Sequence, residues 1–398
     1  MSQAADSRND APVIRPGGTI GVLGGGQLGR MLALSGRAMG YRFVTLDPTP
    51  DAPCGQVADR QIVASYDDAE AAQALAEQSD VITYEFENVD ADVTRLLMAE
   101  SYVPQGSRLL YTTQHRLREK RAIEAAGVQV APYAEITSAE QLREAVERFG
   151  TPCVLKTATG GYDGKGQWVI RSLDEVKEAY DTLSKAKTEL VLEQFIHFEK
   201  EISVIAARSP RGEVKAFPAA ENIHVNNILH LSIVPARTSE SIQQEAERLA
   251  VRIAESMDVV GLIAVEMFLT RDGQLFVNEL APRPHNSGHY TMEACATSQF
   301  EQHVRAICNL PLGSTELLTP VVMGNILGQH VEPLLDWIVR PESEQMPGVT
   351  AKVHLYGKHE AKHNRKMGHV NVLAESADAA LKWIEASNIW KTNESIAD

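Results

Sequence analysis

Two acidic residues, Glu266 and Glu279, lie on opposite arms of a predicted β-hairpin whose other residues are mostly apolar. The arms AVEMFLT and LFVNEL flank the turn RDGQ, and Asp-Gly is a favoured two-residue turn. Centring the turn on that Asp-Gly pair, with 270 opposite 275, places Glu266 directly opposite Glu279. Facing carboxylates repel each other, and a hard cation such as magnesium relieves the repulsion. The pattern predicts a metal site; a slipped register or one protonated acid is the alternative.

A glycine-rich stretch, TGGYDGKGQ at residues 159–167, follows a predicted strand that ends at Lys156. Glycines let backbone amides approach a ligand closely, and successive amides form a concave anion site. Lys165 adds a cation to it. The stretch is not a Walker A loop, because Gly166 stands where Ser or Thr would bind magnesium. We interpret it as a hairpin over a phosphate; a plain surface hairpin is the alternative.

Two later segments carry groups suited to anions. Arg283, His285 and Asn286 follow the acidic pair in a proline-stiffened loop, where they could clamp an oxyanion. Near the C-terminus, Arg365 and Lys366 in HNRKMGH could hold a phosphate. On its own, a solvated charged segment would be the commoner interpretation of HNRKMGH.

The N-terminal segment has the pattern of a βαβ unit built around GGGQLGR, with a second strand that ends at Asp47. On paper this matches the dinucleotide fingerprint, although the amides at such a helix start could equally hold a single phosphate. Glu85 and Glu87 end a later strand, at the edge where open α/β sheets keep their ligands. Two solvated surface acids are the alternative.

The run VLEQFI predicts a strand that gives way to a linker at Phe195. Such a linker can offer backbone groups to a nucleotide base, and Glu193 can accept from an exocyclic amine. Glu201 begins the next predicted strand. Ordinary surface charge is the alternative for each acid.

Composition limits the kinds of partner. The 398 residues suggest two or three domains, and the net charge of −15 argues against general nucleic-acid binding. Four scattered cysteines without a CxxC pair indicate a reducing cytosol and no structural zinc. No apolar run approaches the roughly 18 residues of a membrane span. Residues 1–13 are polar and predict a disordered tail without a signal core.

The chain resembles the ATP-grasp superfamily in four features that follow one another in the same order. They are Lys156, GGYDGKGQ, EQF with Glu201, and NEL. From about residue 18 onward the chain more closely resembles the carboxyaminoimidazole ribonucleotide synthetase family, on GGGQLGR, GGYDGKGQ, NELAPRPHNSGH and HNRKMGH. The resemblance implies α/β and α+β architecture: an ATP-grasp fold, an N-terminal Rossmann-like (pre-ATP-grasp) domain and a small β-rich C-terminal domain. The expected boundaries are 14–106, 107–312 with a phosphate-loop subdomain at about 128–195, and 313–398.

The resemblance also implies an ATP-dependent carbon–nitrogen ligase of de novo purine biosynthesis. Bicarbonate would attack ATP to give carboxyphosphate, whose CO₂ the exocyclic amine of 5-aminoimidazole ribonucleotide captures. Carboxyaminoimidazole ribonucleotide, ADP and phosphate would be the products. ATP and Mg²⁺ are the implied cofactors, and a cytoplasmic homodimer is the implied assembly.

Site residues follow by analogy. The residues expected to be catalytic are Arg283, His285, Asn286, Lys358 and Tyr162, of which the first four would hold bicarbonate and carboxyphosphate. Those expected to bind ATP are Lys156, Gly161, Asp163, Gly164, Lys165, Gly166, Gln167, Glu193, Phe195, Glu201 and Asn278. Those expected to bind the ribonucleotide, with its phosphate near the GGGQLGR amides, are Gly26, Gln27, Leu28, Glu85, Tyr162, Lys165, Lys358, Arg365 and Lys366. Glu266 and Glu279 are the expected metal ligands.

One departure concerns Tyr111, because many relatives carry a basic residue near that position. Arg108, Arg116 and Lys120 are the candidates to replace the corresponding ATP contact.

Three other functions fit parts of the sequence. A formate-using or glycinamide ATP-grasp ligase would share the ATP residues but lack the combination of Tyr162 with HNRKMGH. A dinucleotide-dependent oxidoreductase explains GGGQLGR and Asp47 but leaves Glu266 and Glu279 idle. A non-catalytic nucleotide-binding regulator is disfavoured by the retention of both acids.

Overall fold

The computed structural model describes residues 11–87, 89, 91–160, 165–341 and 347–391. Four of the expected site residues, Gly161, Tyr162, Asp163 and Gly164, lie outside the described residues, as do residues 1–10 of the expected tail. Within the described ranges, no helix is long and apolar enough to cross a membrane.

The N-terminal region alternates short apolar strands with helices. Its elements are β1 (Thr19–Leu23), α1 (Gln27–Ala38), β2 (Arg42–Leu46), β3 (Arg60–Ile62), α2 (Ala69–Glu77), β4 (Val81–Tyr84) and α3 (Ala91–Glu100). The strands form a parallel sheet in the order β3-β2-β1-β4. Runs such as TIGVL are apolar throughout because helices cover a parallel sheet on both faces. The carboxyl ends of β1 and β4 therefore bring GGGQLGR and Glu85 together.

A second, antiparallel sheet carries the start of the glycine-rich stretch. This region comprises α4 (Arg108–Thr113), α5 (Arg116–Ala125), β5 (Tyr133–Ile136), α6 (Ala139–Phe149), β6 (Cys153–Thr157), β7 (Gln167–Ile170), α7 (Val176–Leu183) and β8 (Leu190–Gln194). The order is β5-β8-β6-β7, and Lys156 on β6 pairs with Gln167 on β7. The predicted strands on both sides of the stretch are thus confirmed. Apolar side chains of α6 and α7 pack on this sheet, which holds Lys156 in place.

A nine-stranded sheet forms the rest of the molecule. Its strands are β9 (Phe198–Arg208), β10 (Val214–Ala216), β11 (Ala220–Val225), β12 (Ile228–Val234), β13 (Gly261–Thr270), β14 (Leu275–Ala281), β15 (Val321–Leu327), β16 (Thr350–Leu355) and β17 (Lys366–Leu373). The accompanying helices are α8 (Glu240–Ser256), α9 (Thr291–Ala294), α10 (Gln299–Ile307), α11 (Val331–Ile338) and α12 (Ala377–Ser387).

The strand order of this sheet is β14-β13-β9-β11-β12-β15-β17-β16, with β10 on β9. Strand β12 pairs with β15, where Val234 lies opposite Val321. The sheet therefore runs without interruption across residue 313, the boundary expected for a separate C-terminal domain. This continuity carries the HNRKMGH segment, at the start of β17, to the same side of the molecule as the acidic pair.

Candidate active site

A cavity of about 580 Å³ lies where the two antiparallel sheets meet. Strands β6, β7 and β8 line one side of it, and β9, β13 and β14 line the other. The expected site residues that line it are Lys156, Lys165, Gln167, Glu193, Phe195, Glu201, Glu266, Asn278, Glu279, Arg283, His285, Asn286 and Lys366. The cavity thus brings together residues predicted for ATP, for the metal and for the oxyanion.

Glu266 on β13 lies directly opposite Glu279 on β14, so the predicted contact is confirmed. The predicted turn is wrong: Leu269 pairs with Leu275, one step away from the expected register, and the turn holds three residues. A β-bulge after Glu266 makes Asn278 the extra residue and restores the pairing of the two acids.

The two carboxylates differ in their electrostatic surroundings. His285 Nε2 lies 2.9 Å from Glu266 Oε1. Burial alone would raise the pKa of Glu266, but the nearby His285 holds it at about 2. Withdrawal from bulk water and the charge of Glu266 both raise the pKa of Glu279, while Arg116 Nη1, 3.6 Å from Glu279 Oε2, opposes the rise. A second cation near Glu279 would relieve the repulsion between the acids.

The side-chain oxygens around this pair suit magnesium. Asn278 Oδ1 and Asn286 Oδ1 are buried and have no hydrogen-bond partner among the residues that the structure describes. Magnesium prefers carboxylate and amide oxygens and commonly completes its coordination with phosphate and water. Across the described part of the chain, no three His, Cys, Asp or Glu side chains are grouped to hold a metal by themselves. The residues present therefore fit a magnesium ion that a bound phosphate helps to hold.

Glu193 lies between two buried lysines. Its Oε1 is 3.1 Å from Lys120 Nζ, and its Oε2 is 2.9 Å from Lys156 Nζ. Burial alone would raise the pKa of Glu193, but the two ammonium groups hold it at about 2. Oε2 accepts from Lys156, whereas Oε1 has no hydrogen bond among the described residues, so the contact with an exocyclic amine that we expected for Glu193 stays a prediction. Its evident effect is to fix Lys156 at the wall of the cavity.

The surroundings of Tyr111 bear on which basic residue could make the ATP contact that is in doubt at this position. Tyr111 is 61% exposed, and the Arg118 guanidinium stacks 3.5 Å above its ring. Lys120 is 1% exposed and engaged with Glu193. Arg116 lines the cavity beside Glu279, so it is the candidate that a nucleotide phosphate can reach.

Glu201 contacts a histidine that sequence reasoning missed. Its Oε2 lies 2.7 Å from Nδ1 of His224, which also lines the cavity. Burial alone would lower the pKa of His224, but the Glu201 carboxylate raises it. No local signal marks His224, because its partner lies 23 positions earlier on a neighbouring strand. The linker predicted at Phe195 is confirmed, since β8 ends at Gln194.

The glycine amides of the N-terminal region have partners within the chain. Glu85 accepts from the amides of Gly26 and Gly29, the latter at 2.6 Å. Asp47 Oδ2 accepts from the Gly25 amide at 2.8 Å and is thereby withheld from a ribose hydroxyl. Two carboxylates therefore take the amides of Gly25, Gly26 and Gly29, and the phosphate contact expected elsewhere in GGGQLGR stays a prediction. The side chain of Leu28 packs in the core, so only its backbone could contact a ligand.

Further residues expected to bind the substrate lie around Lys358. Burial and the charges of Arg365 and Lys366 lower the pKa of Lys358 to about 8, while Glu85 opposes the change. Lys358 Nζ also donates to the Lys366 carbonyl at 2.7 Å. Residues expected to bind the substrate from the two ends of the chain thus lie close enough to affect one another. Lys366 lines the same 580 Å³ cavity as Glu266 and Glu279, so the basic group and the acidic pair border one cavity.

Arg283 ties the oxyanion loop to the N-terminal sheet. Its Nη2 lies 2.8 Å from Oε1 of Glu87, which follows β4. The loop that holds Arg283, His285 and Asn286 is therefore anchored to both the first and the last of the three sheets.

Models of three protein families match the chain in succession. A ribonucleotide synthetase pre-ATP-grasp domain matches residues 18–114. An ATP-grasp domain matches residues 121–300, and a phosphoribosylaminoimidazole carboxylase C-terminal domain matches residues 321–382. These matches confirm the predicted fold class.

Relatives resemble the chain over nearly its whole length. N5-carboxyaminoimidazole ribonucleotide synthase of Bacillus subtilis is 51% identical over 96% of this chain and 98% of its own. A crystal structure of an N5-carboxyaminoimidazole ribonucleotide synthetase with ADP is 56% identical, with a TM-score of 0.90 over 96% of this chain and 98% of that chain. The structure of the Aspergillus clavatus synthase in complex with ADP and 5-aminoimidazole ribonucleotide is 33% identical. Its TM-score is 0.85, over 93% of this chain and 97% of that chain.

Fold and site together define an ATP-grasp ligase. Within that class, the chain belongs to the N5-carboxyaminoimidazole ribonucleotide synthase family.

Proposed function

We propose that this chain uses ATP and bicarbonate to carboxylate the exocyclic amine of 5-aminoimidazole ribonucleotide in purine biosynthesis. The products are N5-carboxyaminoimidazole ribonucleotide, ADP and phosphate. One observation carries the proposal: a single cavity collects the Lys156 ammonium, the Glu266 and Glu279 carboxylates, and the loop with Arg283 and His285. A phosphate site, a cation site and an oxyanion site must adjoin for bicarbonate to attack ATP.

At the ATP end, Lys156 and Arg116 place two positive charges near the acids. Charge-assisted contacts of this kind hold phosphates and stabilise the charge of phosphoryl transfer. Glu193 keeps the Lys156 ammonium in position. Phe195 and Glu201 line the same cavity and are the proposed contacts to the nucleoside.

At the metal end, Glu266, Glu279 and the unpartnered Oδ1 of Asn278 would hold magnesium. Bound there, magnesium would neutralise the phosphoryl oxygens. The proposal includes magnesium as the metal, bicarbonate as the third substrate, a homodimeric assembly and a cytoplasmic location.

At the oxyanion end, Arg283 and His285 provide donors for bicarbonate and for the carboxyphosphate formed from it. Neither polar side-chain atom of Asn286 has a hydrogen-bond partner in the described part of the chain, so its amide can serve the same anion. CO₂ released from carboxyphosphate then reaches the ribonucleotide amine. Lys358, Arg365 and Lys366 form the positive region proposed for the ribonucleotide phosphate, near Glu85.

Phosphate release from ATP, measured with and without 5-aminoimidazole ribonucleotide and bicarbonate, tests the proposal. We expect magnesium-dependent release that the ribonucleotide stimulates, together with transfer of labelled bicarbonate carbon into an acid-labile product. Replacing bicarbonate with formate should support no product. Turnover with formate would instead indicate another ATP-grasp ligase. Binding of NADH without binding of ATP would indicate an oxidoreductase.

A further inference from the structure

A row of buried polar side chains crosses the large sheet and ends at His285. Ser232 on β12, Asn222 on β11 and Ser203 on β9 are 0%, 6% and 2% exposed, and Ser287 beside His285 is 1% exposed. Successive members of the row, from Ser232 to Asn222, Ser203 and Ser287, are joined by hydrogen bonds of 2.8 Å each. Buried hydroxyl and amide groups are costly unless they are hydrogen-bonded, and in this row each group finds its partner in the next.

One backbone amide fixes the direction of the whole row. Ser287 N donates to His285 Nδ1 at 3.3 Å, and since a backbone N–H can only donate, Nδ1 must be an acceptor. Ser287 Oγ lies 2.9 Å from the same nitrogen, so the single hydroxyl proton of Ser287 is donated to His285 Nδ1. Ser287 must then accept from Ser203, and Ser203 from the Asn222 amide. Asn222 Oδ1 accepts from Ser232, so every bond points towards the imidazole.

The consequence is a defined tautomer of His285. With Nδ1 acting as an acceptor, the ring proton is on Nε2, which lies 2.9 Å from Glu266 Oε1. The backbone of His285 is fixed separately, because Gln299 accepts from its amide at 2.9 Å and donates to its carbonyl at 2.8 Å. Ser203, in the middle of the row, also lies directly opposite Glu266 in the pairing of β9 with β13.

We infer that Ser203, Asn222, Ser232 and Ser287 are positioning residues that hold His285 as an Nε2–H hydrogen-bond donor to the oxyanion. None of the four lines the cavity. The single Nε2–H, which faces Glu266 Oε1 in this structure, is then the donor that an oxygen of bicarbonate or carboxyphosphate shares with that carboxylate, and His285 does not take a proton from the anion. This inference rests on the proposed function, because that function supplies the oxyanion.

The test combines histidine ¹⁵N NMR with kinetics on the full chain. A His285→Gln variant identifies the His285 signals among those of the 12 histidines by their disappearance. We expect the Nε2–H tautomer in the wild type and a mixture with the Nδ1–H tautomer in Ser203→Ala. The same variant should lose roughly threefold to tenfold in kcat, the factor expected for one lost hydrogen bond, with an unchanged KM for ATP. Ser209→Ala, equally buried directly after β9 but outside the row, is the matched control and should keep the wild-type tautomer and kcat.

If Ser203→Ala does not fold, Ser232→Ala at the outer end of the row replaces it, with the same expected changes. An Nδ1–H wild type, or a folded variant with unchanged tautomer and kcat, would overturn the inference. A wild type that hydrolyses no ATP with the ribonucleotide and bicarbonate would instead overturn the proposed function, since the NMR result decides the tautomer independently of turnover.

Discussion

His285 Nε2 lies 2.9 Å from Glu266 Oε1, so a group proposed to bind the oxyanion directly contacts a group proposed to bind the metal. The contact stabilises the ionised form of Glu266, whose pKa is held at about 2. Glu279, on the opposite strand, has Arg116 at the longer distance of 3.6 Å, and its pKa is raised in spite of that contact. The two acids are therefore unequal, and Glu279 is the one whose charge the fold itself stabilises least.

Glu279→Gln should lower turnover by at least about a hundredfold, because one proposed metal ligand loses its charge. The free energy of unfolding should not fall, since the substitution also removes like-charge repulsion with Glu266. Steady-state kinetics and urea unfolding measure the two effects. Glu199→Gln, at an exposed position on β9, is the control for loss of an acid. Near-normal turnover in a folded Glu279→Gln protein would mean that the pair is structural.

Glu193→Gln should destabilise the protein in a pH-dependent way. The folded-state pKa of Glu193 is about 2, below the usual 4.5, so its stabilising effect is complete above about pH 4.5 and is lost as the pH falls towards 2. The shift corresponds to about 3 kcal/mol. Urea unfolding between pH 7 and pH 3 should show the difference between variant and wild type shrinking below pH 4.5.

Glu144→Gln, on the exposed side of α6, controls for the general effect of removing an acid. Its free energy of unfolding should differ from that of the wild type by about zero at every pH. A Glu193→Gln difference that stays constant from pH 7 to pH 3 would contradict the assigned pairing with Lys120 and Lys156.

The sequence was sufficient to predict the acidic pair, but it could not reveal how the chain builds it. Alternation and an Asp-Gly turn placed Glu266 opposite Glu279, yet the actual turn is one residue longer and the bulge at Asn278 compensates. A bulge depends on how neighbouring strands pack, and no single residue type marks it.

The glycine segment GGGQLGR shows a different limit. We predicted that its amides serve a phosphate, and the anions that three of them contact within the chain are Glu85 and Asp47. Carboxylates and phosphates use the same donors, so sequence alone cannot distinguish a distant side chain from a ligand. The contacts of Glu201 with His224 and of Ser203 with Ser287 were missed for a related reason. Each joins residues that are far apart in sequence and individually unremarkable in type.

Lys358 should make binding of the ribonucleotide sensitive to alkaline pH. Its folded-state pKa is lowered to about 8, so its positive charge is lost as the pH rises through that value. Only the charged form of Lys358 attracts the phosphate of the ribonucleotide. KM for 5-aminoimidazole ribonucleotide should therefore rise above pH 8, while KM for ATP should not. Lys358→Arg keeps a charge at all these pH values and should flatten the rise. An identical rise in Lys358→Arg would assign it to another group.

We expect Arg116 to supply the ATP contact for which the resemblance implied a basic residue near Tyr111. It lines the cavity and lies 3.6 Å from Glu279, whereas Arg118, two positions along the same helix, stacks on the Tyr111 ring. Losing a charge-assisted phosphate contact costs about 1.5–3 kcal/mol, or roughly tenfold to a hundredfold in affinity. Arg116→Ala should therefore raise KM for ATP by that factor and leave KM for the ribonucleotide nearly unchanged.

Arg118→Ala is the matched control, because it removes the same charge from the same helix without removing a group from the cavity wall. We expect it to keep a wild-type KM for ATP and to lose at most the stacking on Tyr111. Calorimetric titration with ADP separates binding from turnover for both variants. Equal losses of ADP affinity in the two variants would point to the general positive charge of α5. A loss confined to Arg118→Ala would place the nucleotide at Tyr111, outside the cavity assigned to it.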